Sequence, residues 1–270
     1  MDFLPFNAKI EELKRGQNEG YCRICGKWDK LTIDHVPPKS CGNLNKIEID
    51  YGKGKLISQN GLNCKTICSQ CNNTLLGRNY DQEIIKLYND VLSLSNSTVP
   101  ETMDFSVDVN SLVRCLLGHF IAINVYDENK SVQNILSDKI NDGKYIFGTY
   151  RKFVNGETSS LDDIICYYWY YPYNEIKMIP YFAKANVLDL DKPRAVFGTL
   201  IKFFPVALYL INDKSSSASL NGVNKIDFNT NKITFDFKNI MHNDFPEMPS
   251  PGEVILINSG SSFNVTNERK

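Results

Sequence analysis

Apolar residues recur at helical spacing in some stretches of the chain and gather into short strand-like runs in others. Residues 107–126 (VDVNSLVRCLLGHFIAINVY) have the helical period, and 129–142 predict a second, weaker helix. A short helix over 7–16 is expected to end at Gly16, and a longer one to run from Cys71 to about residue 94. Strand character appears early at Lys30–Ile33, and a hairpin is expected around YGKGKLI. From residue 144 onward strands dominate: KYIFGTY, DIICYYWYY, EIKMIPYFAKANVL, RAVFGTLIKFFPVALYLI, KIDFNTNKITFDF and EVILIN. Turn signals separate them, such as Tyr171–Asn174 and Asn229–Asn231. The tail GSSFNVTNERK reads as frayed.

The stretch SNSTVPET reads as a linker and divides the chain in two. The expectation is a small Cys-rich module over 1–95 and a mixed α+β domain over 105–260, so the fold class is α+β. Composition adds little: 42% hydrophobic and 23% charged over 270 residues is ordinary for a globular chain. No run is long and apolar enough to span a membrane. The first residues lack the apolar core of a signal peptide, so the expected compartment is the cytoplasm. The net charge of −1 is uninformative, but its distribution is not. From Lys14 to Arg78 there are 11 lysines and arginines against 5 acidic residues, whereas the remainder holds 19 against 26. A basic module on an acidic remainder suits contact with phosphates.

Six of the eight cysteines fall in the first 71 residues. Cys22 and Cys25 form one CxxC and Cys68 and Cys71 a second, with 42 residues between the two. Two such knuckles bring four thiolates together, the usual structural zinc set, and in a small module the metal contributes folding energy directly. Free thiols, a thiol–disulfide redox pair or an iron–sulfur cluster are the competing readings, and each leaves the intervening motif unexplained. Cys41 and Cys64 belong to no pair and read as spare thiols.

Between the knuckles, Asp34-His35 follows a strand and precedes Val-Pro-Pro. Of the three histidines, His119 lies on an apolar helical face and reads as packed, and His242 lies in a loop without an assignable role. The ordered set CRIC, LTIDHVPPKS and GLNCKTICSQCNNTLLG resembles the zinc-containing branch of the HNH endonuclease family, over about residues 20–80. The resemblance implies an N-terminal ββα-metal finger, two strands packed on a helix around one divalent cation. It also implies that His35 is the general base, that Asp34 and Asn72 hold Mg²⁺ or Mn²⁺, and that Asn63 orients the hairpin and the histidine.

The last position is Asn72 rather than His, an HNN variant, and Asn73 beside it is the alternative ligand. Where many members carry a Lys, this chain has Leu75, and Arg78 supplies a charge nearby. The long stretch from Cys41 to Gly61, with Lys46, Lys53 and Lys55, is either a DNA-contacting loop or a tolerated insertion. The implied activity is hydrolysis of DNA phosphodiesters. A homodimer or a regulatory protein is a further expected partner. The same resemblance extends to HNH proteins of phages and bacterial anti-phage systems, which implies a defence role.

The competing class is a zinc knuckle that binds nucleic acid or protein without cutting. It needs neither the Asp-His pair nor the Asn after the last cysteine. Residues 105–260 carry no readable motif. The aromatic run Cys166–Tyr173 reads as a half-buried strand in preference to a base-stacking platform. Sensing, dimerisation or partner docking is the expected role of this part.

Overall fold

Cys22 and Lys27 close a tight turn, with the Cys22 amide donating to the Lys27 carbonyl at 2.8 Å and Gly26 at φ 75°. A side chain is disfavoured at that φ, so the glycine lets the first knuckle turn back on itself. The computed structural model describes residues 16–50, 55–94, 98–123, 146–161, 164–186, 195–211, 222–249, 253–257 and 264–267. The helices expected over 7–16 and 129–142 lie outside these residues.

Strand β1 (Glu19–Tyr21) leads into the knuckle and β2 (Trp28–His35) leads out of it. They form a three-stranded antiparallel sheet with β5 (Asn63–Cys68), in the order β1-β2-β5. The β2–β5 register shifts between Thr32 and Ile33. Burial along β2 changes phase with it: Leu31 and Asp34 are buried while Ile33 is 57% exposed. A bulge re-aims side chains in this way, and here it turns a carboxylate inward.

Residues between β2 and β5 make a 3₁₀ turn (Lys39–Cys41) and a hairpin of β3 (Ile47–Asp50) and β4 (Lys55–Ser58). The insertion therefore includes the hairpin expected at YGKGKLI. Lys46 is exposed before β3 and Lys53 lies outside the described residues.

After β5 the chain enters a π-helix (Gln70–Tyr80), which continues as α1 (Asp81–Ser93). Ile84, Leu87 and Val91 form the buried stripe of α1. Strand β6 (Thr102–Ser106) precedes α2 (Val109–Ile123), a helix buried on almost every side, as expected of one apolar all round. The run KYIFGTY, expected as a strand, instead enters α3 (Ile146–Val154). Its apolar run is too short to set a period. Only the continuation through Phe153 and Val154 shows that Tyr150, Phe153 and Val154 share one face, all fully buried, with Tyr150 edge-on to Phe120 of α2.

The remaining expected strands appear as β7 (Ile165–Tyr170), β8 (Glu175–Asn186), β9 (Ala195–Phe203), β10 (Val206–Ile211), β11 (Asn224–Lys225), β12 (Lys232–Asp236) and β13 (Glu253–Ile257). The tail adds β14 (Asn264–Asn267) where fraying was expected. A nine-stranded sheet runs β11-β7-β10-β9-β8-β14-β3-β4, with β13 also paired to β8, and β6 pairs with β12. The aromatic strand β7 sits between β10 and β11, and its Trp169 is 1% exposed. The half-buried strand therefore accounts for it.

One buried cluster joins Ile24, Leu76 and Ile84 to Leu116, Phe120, Tyr150 and Tyr168. The two expected domains thus share a core across the 95–105 boundary. Polar ties reinforce it: Arg23 Nη1 and Thr66 Oγ1 both donate to the Ala122 carbonyl at the end of α2, at 3.1 and 2.7 Å. Arg151 and Asn155 both donate to the carbonyl of Ile24 within the first knuckle. Among the described residues no helix is long and apolar enough to cross a membrane.

Candidate metal centre and acidic cleft

The first knuckle, the end of β5 and the first turn of the π-helix converge. The Sγ atoms of Cys22, Cys25, Cys68 and Cys71 all lie within 4.8 Å of one another, and Cys25 and Cys68 are 3.9 Å apart. A tetrahedral zinc with Zn–S bonds of about 2.3 Å sets its sulfurs about 3.8 Å apart, so the residues present fit the ion. Cys22, Cys68 and Cys71 are buried and Cys25 is partly exposed. The hydrogen bond from Cys71 pulls the Cys22 thiol down to about 5 and pushes Cys71 up, while burial raises Cys25 to about 11. Four crowded thiols cannot all ionise unless a cation balances them. This group can hold a metal such as zinc. Cys41 and Cys64, read as spare, are buried elsewhere, and burial pushes Cys64 up to about 12.

A cleft of about 390 Å³ opens beside β2, lined by Asp34, His35, Lys39, Asn72, Asn73, Asp81 and His119 among others. His35 is half-buried at the end of β2. Burial and the Lys39 cation lower its pKa, against Asp34 and a backbone hydrogen bond at Asn60, so the imidazole is neutral at pH 7. Asp34 is 3% exposed.

Asn72 leans from the π-helix onto β2, donating Nδ2 to the Ile33 carbonyl at 2.8 Å and to Thr32 Oγ1 at 3.1 Å. With its nitrogen so engaged, the amide oxygen remains as the hard donor for a cation. Asn73 lines the same cleft, but its amide is tied to Ser69 of its own turn at 2.9 Å.

Asn63 pairs with His35 across the β2–β5 ladder, and its amide reaches the carbonyls of Asn60 and Gly61 at 3.2 and 3.4 Å. The strongest tie across the loop comes from Asn43, which the sequence reading passed over. Asn43 is fully buried. Its Nδ2 donates to the carbonyls of Pro37 and Leu62 at 2.7 and 2.8 Å, and its Oδ1 accepts from the Leu62 amide at 2.8 Å. Gly61 packs against it at φ 69°, where a methyl would overlap the Asn43 side chain.

His119 also reaches the cleft, from α2. Its Nδ1 lies 2.9 Å from Asp34 Oδ2 and its Nε2 lies 3.0 Å from Asp81 Oδ1. The Cys115 thiol donates to the same Asp81 oxygen at 3.3 Å. Burial opposes charge on His119, but the two carboxylates outweigh it and raise its pKa well above the usual value. Burial and Asp81 push the Cys115 thiol up to about 12, which keeps it a neutral donor. Packing explains the burial of His119 but not its two acidic partners, and no local signal in its apolar helix announces them. His242 is exposed and accepts the Asp244 amide at 3.2 Å.

Comparison with family models, with curated proteins and with solved structures finds no match to this chain.

Proposed function

We propose that the chain is a metal-dependent endonuclease of the HNH type that hydrolyses DNA phosphodiesters. The observation that carries this reading is that Asp34, His35 and Asn72 line one cleft, with Asn72 hydrogen-bonded to the strand that bears the other two. The antiparallel β2 and β5, followed directly by a helix and fastened by the cysteine group, have the order of elements that a ββα-metal finger requires.

In this reading Asp34 and the oxygen of Asn72 hold Mg²⁺ or Mn²⁺, one carboxylate and one amide being suited to a hard cation. The cation supplies charge stabilisation at the scissile phosphate. The neutral His35 accepts a proton from water as the water oxygen bonds to phosphorus. The bond from phosphorus to the leaving ester oxygen then breaks, and that oxygen takes a proton from solvent. Lys39 at the cleft and the exposed Arg78 offer charge to the DNA backbone. The cysteine zinc stays outside the chemistry and fixes where the π-helix starts relative to β2.

The test is nicking of supercoiled plasmid by the purified full chain, with Mg²⁺ or Mn²⁺ and with chelator. Wild type should nick only with the divalent metal, and His35→Ala should lose roughly 100-fold or more of the rate while keeping its fold and zinc. A folded His35→Ala protein that cuts like wild type would remove the general-base assignment. DNA binding without turnover under either metal would point to a non-cutting zinc module.

A further inference from the structure

A histidine that merely fills space in an apolar helix has no use for two carboxylates. His119 is 1% exposed, yet both ring nitrogens face acids, Asp34 on β2 and Asp81 at the start of α1. Three elements therefore meet at one ring. The ring is also held from behind. Helix α2 ends in the Ala122 carbonyl that Arg23 and Thr66 grip, and Gly118, the residue before His119, lies so close to Leu76 of the π-helix that a methyl there would overlap it. With its helix fastened on both sides and both ring nitrogens hydrogen-bonded, the ring holds the Asp34 carboxylate in one orientation.

We propose that His119 is a positioning residue that fixes the Asp34 carboxylate for the divalent cation, with Asp81 fixing the ring in turn. The inference rests on the nuclease reading. The order is Asp81 to His119 to Asp34, a supporting chain of the kind that orients metal-ligating carboxylates. Asp34 then offers the cation an oxygen whose direction is set before binding, and no side-chain freedom is lost when the ion arrives.

The atoms of Asp81, Cys115 and His119 also lie close enough to hold a metal of their own. The hydrogen bonds favour the supporting chain. Cys115 and His119 already converge on a single Asp81 oxygen, and the cleft reaches Asp81 and His119 but not Cys115.

The experiment uses the full chain, wild type and His119→Gln, with Mn²⁺ binding read by electron paramagnetic resonance independently of cleavage. Zinc per chain and thermal melting are measured alongside. His119→Gln should stay folded with its zinc and bind Mn²⁺ about tenfold or more weakly. Half-maximal nicking should need correspondingly more Mn²⁺, while the rate at saturating Mn²⁺ falls less.

A folded His119→Gln protein with wild-type Mn²⁺ affinity would overturn the positioning role and leave the nuclease reading intact. Two zinc ions in wild type falling to one in the variant would overturn it in favour of a second metal site. Wild type that binds no Mn²⁺ would remove the nuclease reading and this inference with it. If the variant does not fold, Mg²⁺ titration of wild type replaces it. The buried ring N–H proton resonances of His119 should shift as Asp34 engages the ion, and resonances unmoved at saturating Mg²⁺ would overturn the role.

Discussion

Asn43 and Asn63 lie 20 residues apart in the same polar stretch, yet only one is buried. Asn43 makes three short hydrogen bonds to backbone and closes the loop below His35, whereas the Asn63 amide makes two longer ones in a turn. Asn43→Ala leaves buried backbone groups without partners and should cost about 3 kcal/mol of stability. Asn63→Ala should cost less than about 1 kcal/mol. Urea unfolding midpoints compare the two directly, and equal losses would dismiss the distinction. The difference was not legible in the sequence, because burial of a polar side chain is decided by what packs over it. The same holds for His119 and Asp81. The cysteine pairs and Asp34-His35 were legible because their geometry is set within a few bonds along the chain. Asn72 was legible because it directly follows a knuckle.

Among the elements, β7, β8, β9, β10 and β13 were read well because each carries several β-branched or aromatic residues, whereas the short β14 of the same sheet was expected to fray. Helix α3 was misread because its opening residues suit either period. The β2 bulge could not be foreseen either, since it depends on the partner strand, yet it turns Asp34 into the cleft. Helix α2 illustrates how tightly the elements fit. Gly118→Ala, which in an exposed helix would gain about 1 kcal/mol, should here destabilise by about 1–2 kcal/mol because the methyl meets the buried Leu76. Pairing it with Leu76→Ala should recover part of the loss, and simple additivity in that double-mutant cycle would mean the two do not touch. Cys68→Ser should lose its zinc and loosen the junction between β5 and the π-helix. A full zinc equivalent retained by that variant would remove Cys68 from the ligand set.

At the scale of the molecule, the linker-like composition near residue 100 marks no break in the core. Residues 1–95 expressed alone, with zinc supplied, should therefore fail to give a cooperative melt, since Ile24, Leu76 and Ile84 would lose their cover from α2 and α3. A sharp, zinc-dependent transition from that fragment would establish an autonomous module instead. In the full chain, stripping the metal with a strong chelator should lower the melting temperature, because the cysteine group and the shared core hold the same elements.

The position of β14 carries a consequence for synthesis. Residues from the far end of the chain lie between β3 and β8, with Val265 opposite both Ile49 and Ile176. Until β14 has been made, the pairing that joins the early hairpin to the large sheet among the described residues is missing, and the backbones of β3 and β8 that it covers stand open to any other strand. A chain not yet extended to β14 is thus exposed to association with its neighbours, and the β3–β4 hairpin is joined to the sheet only once residues 264–267 are in place.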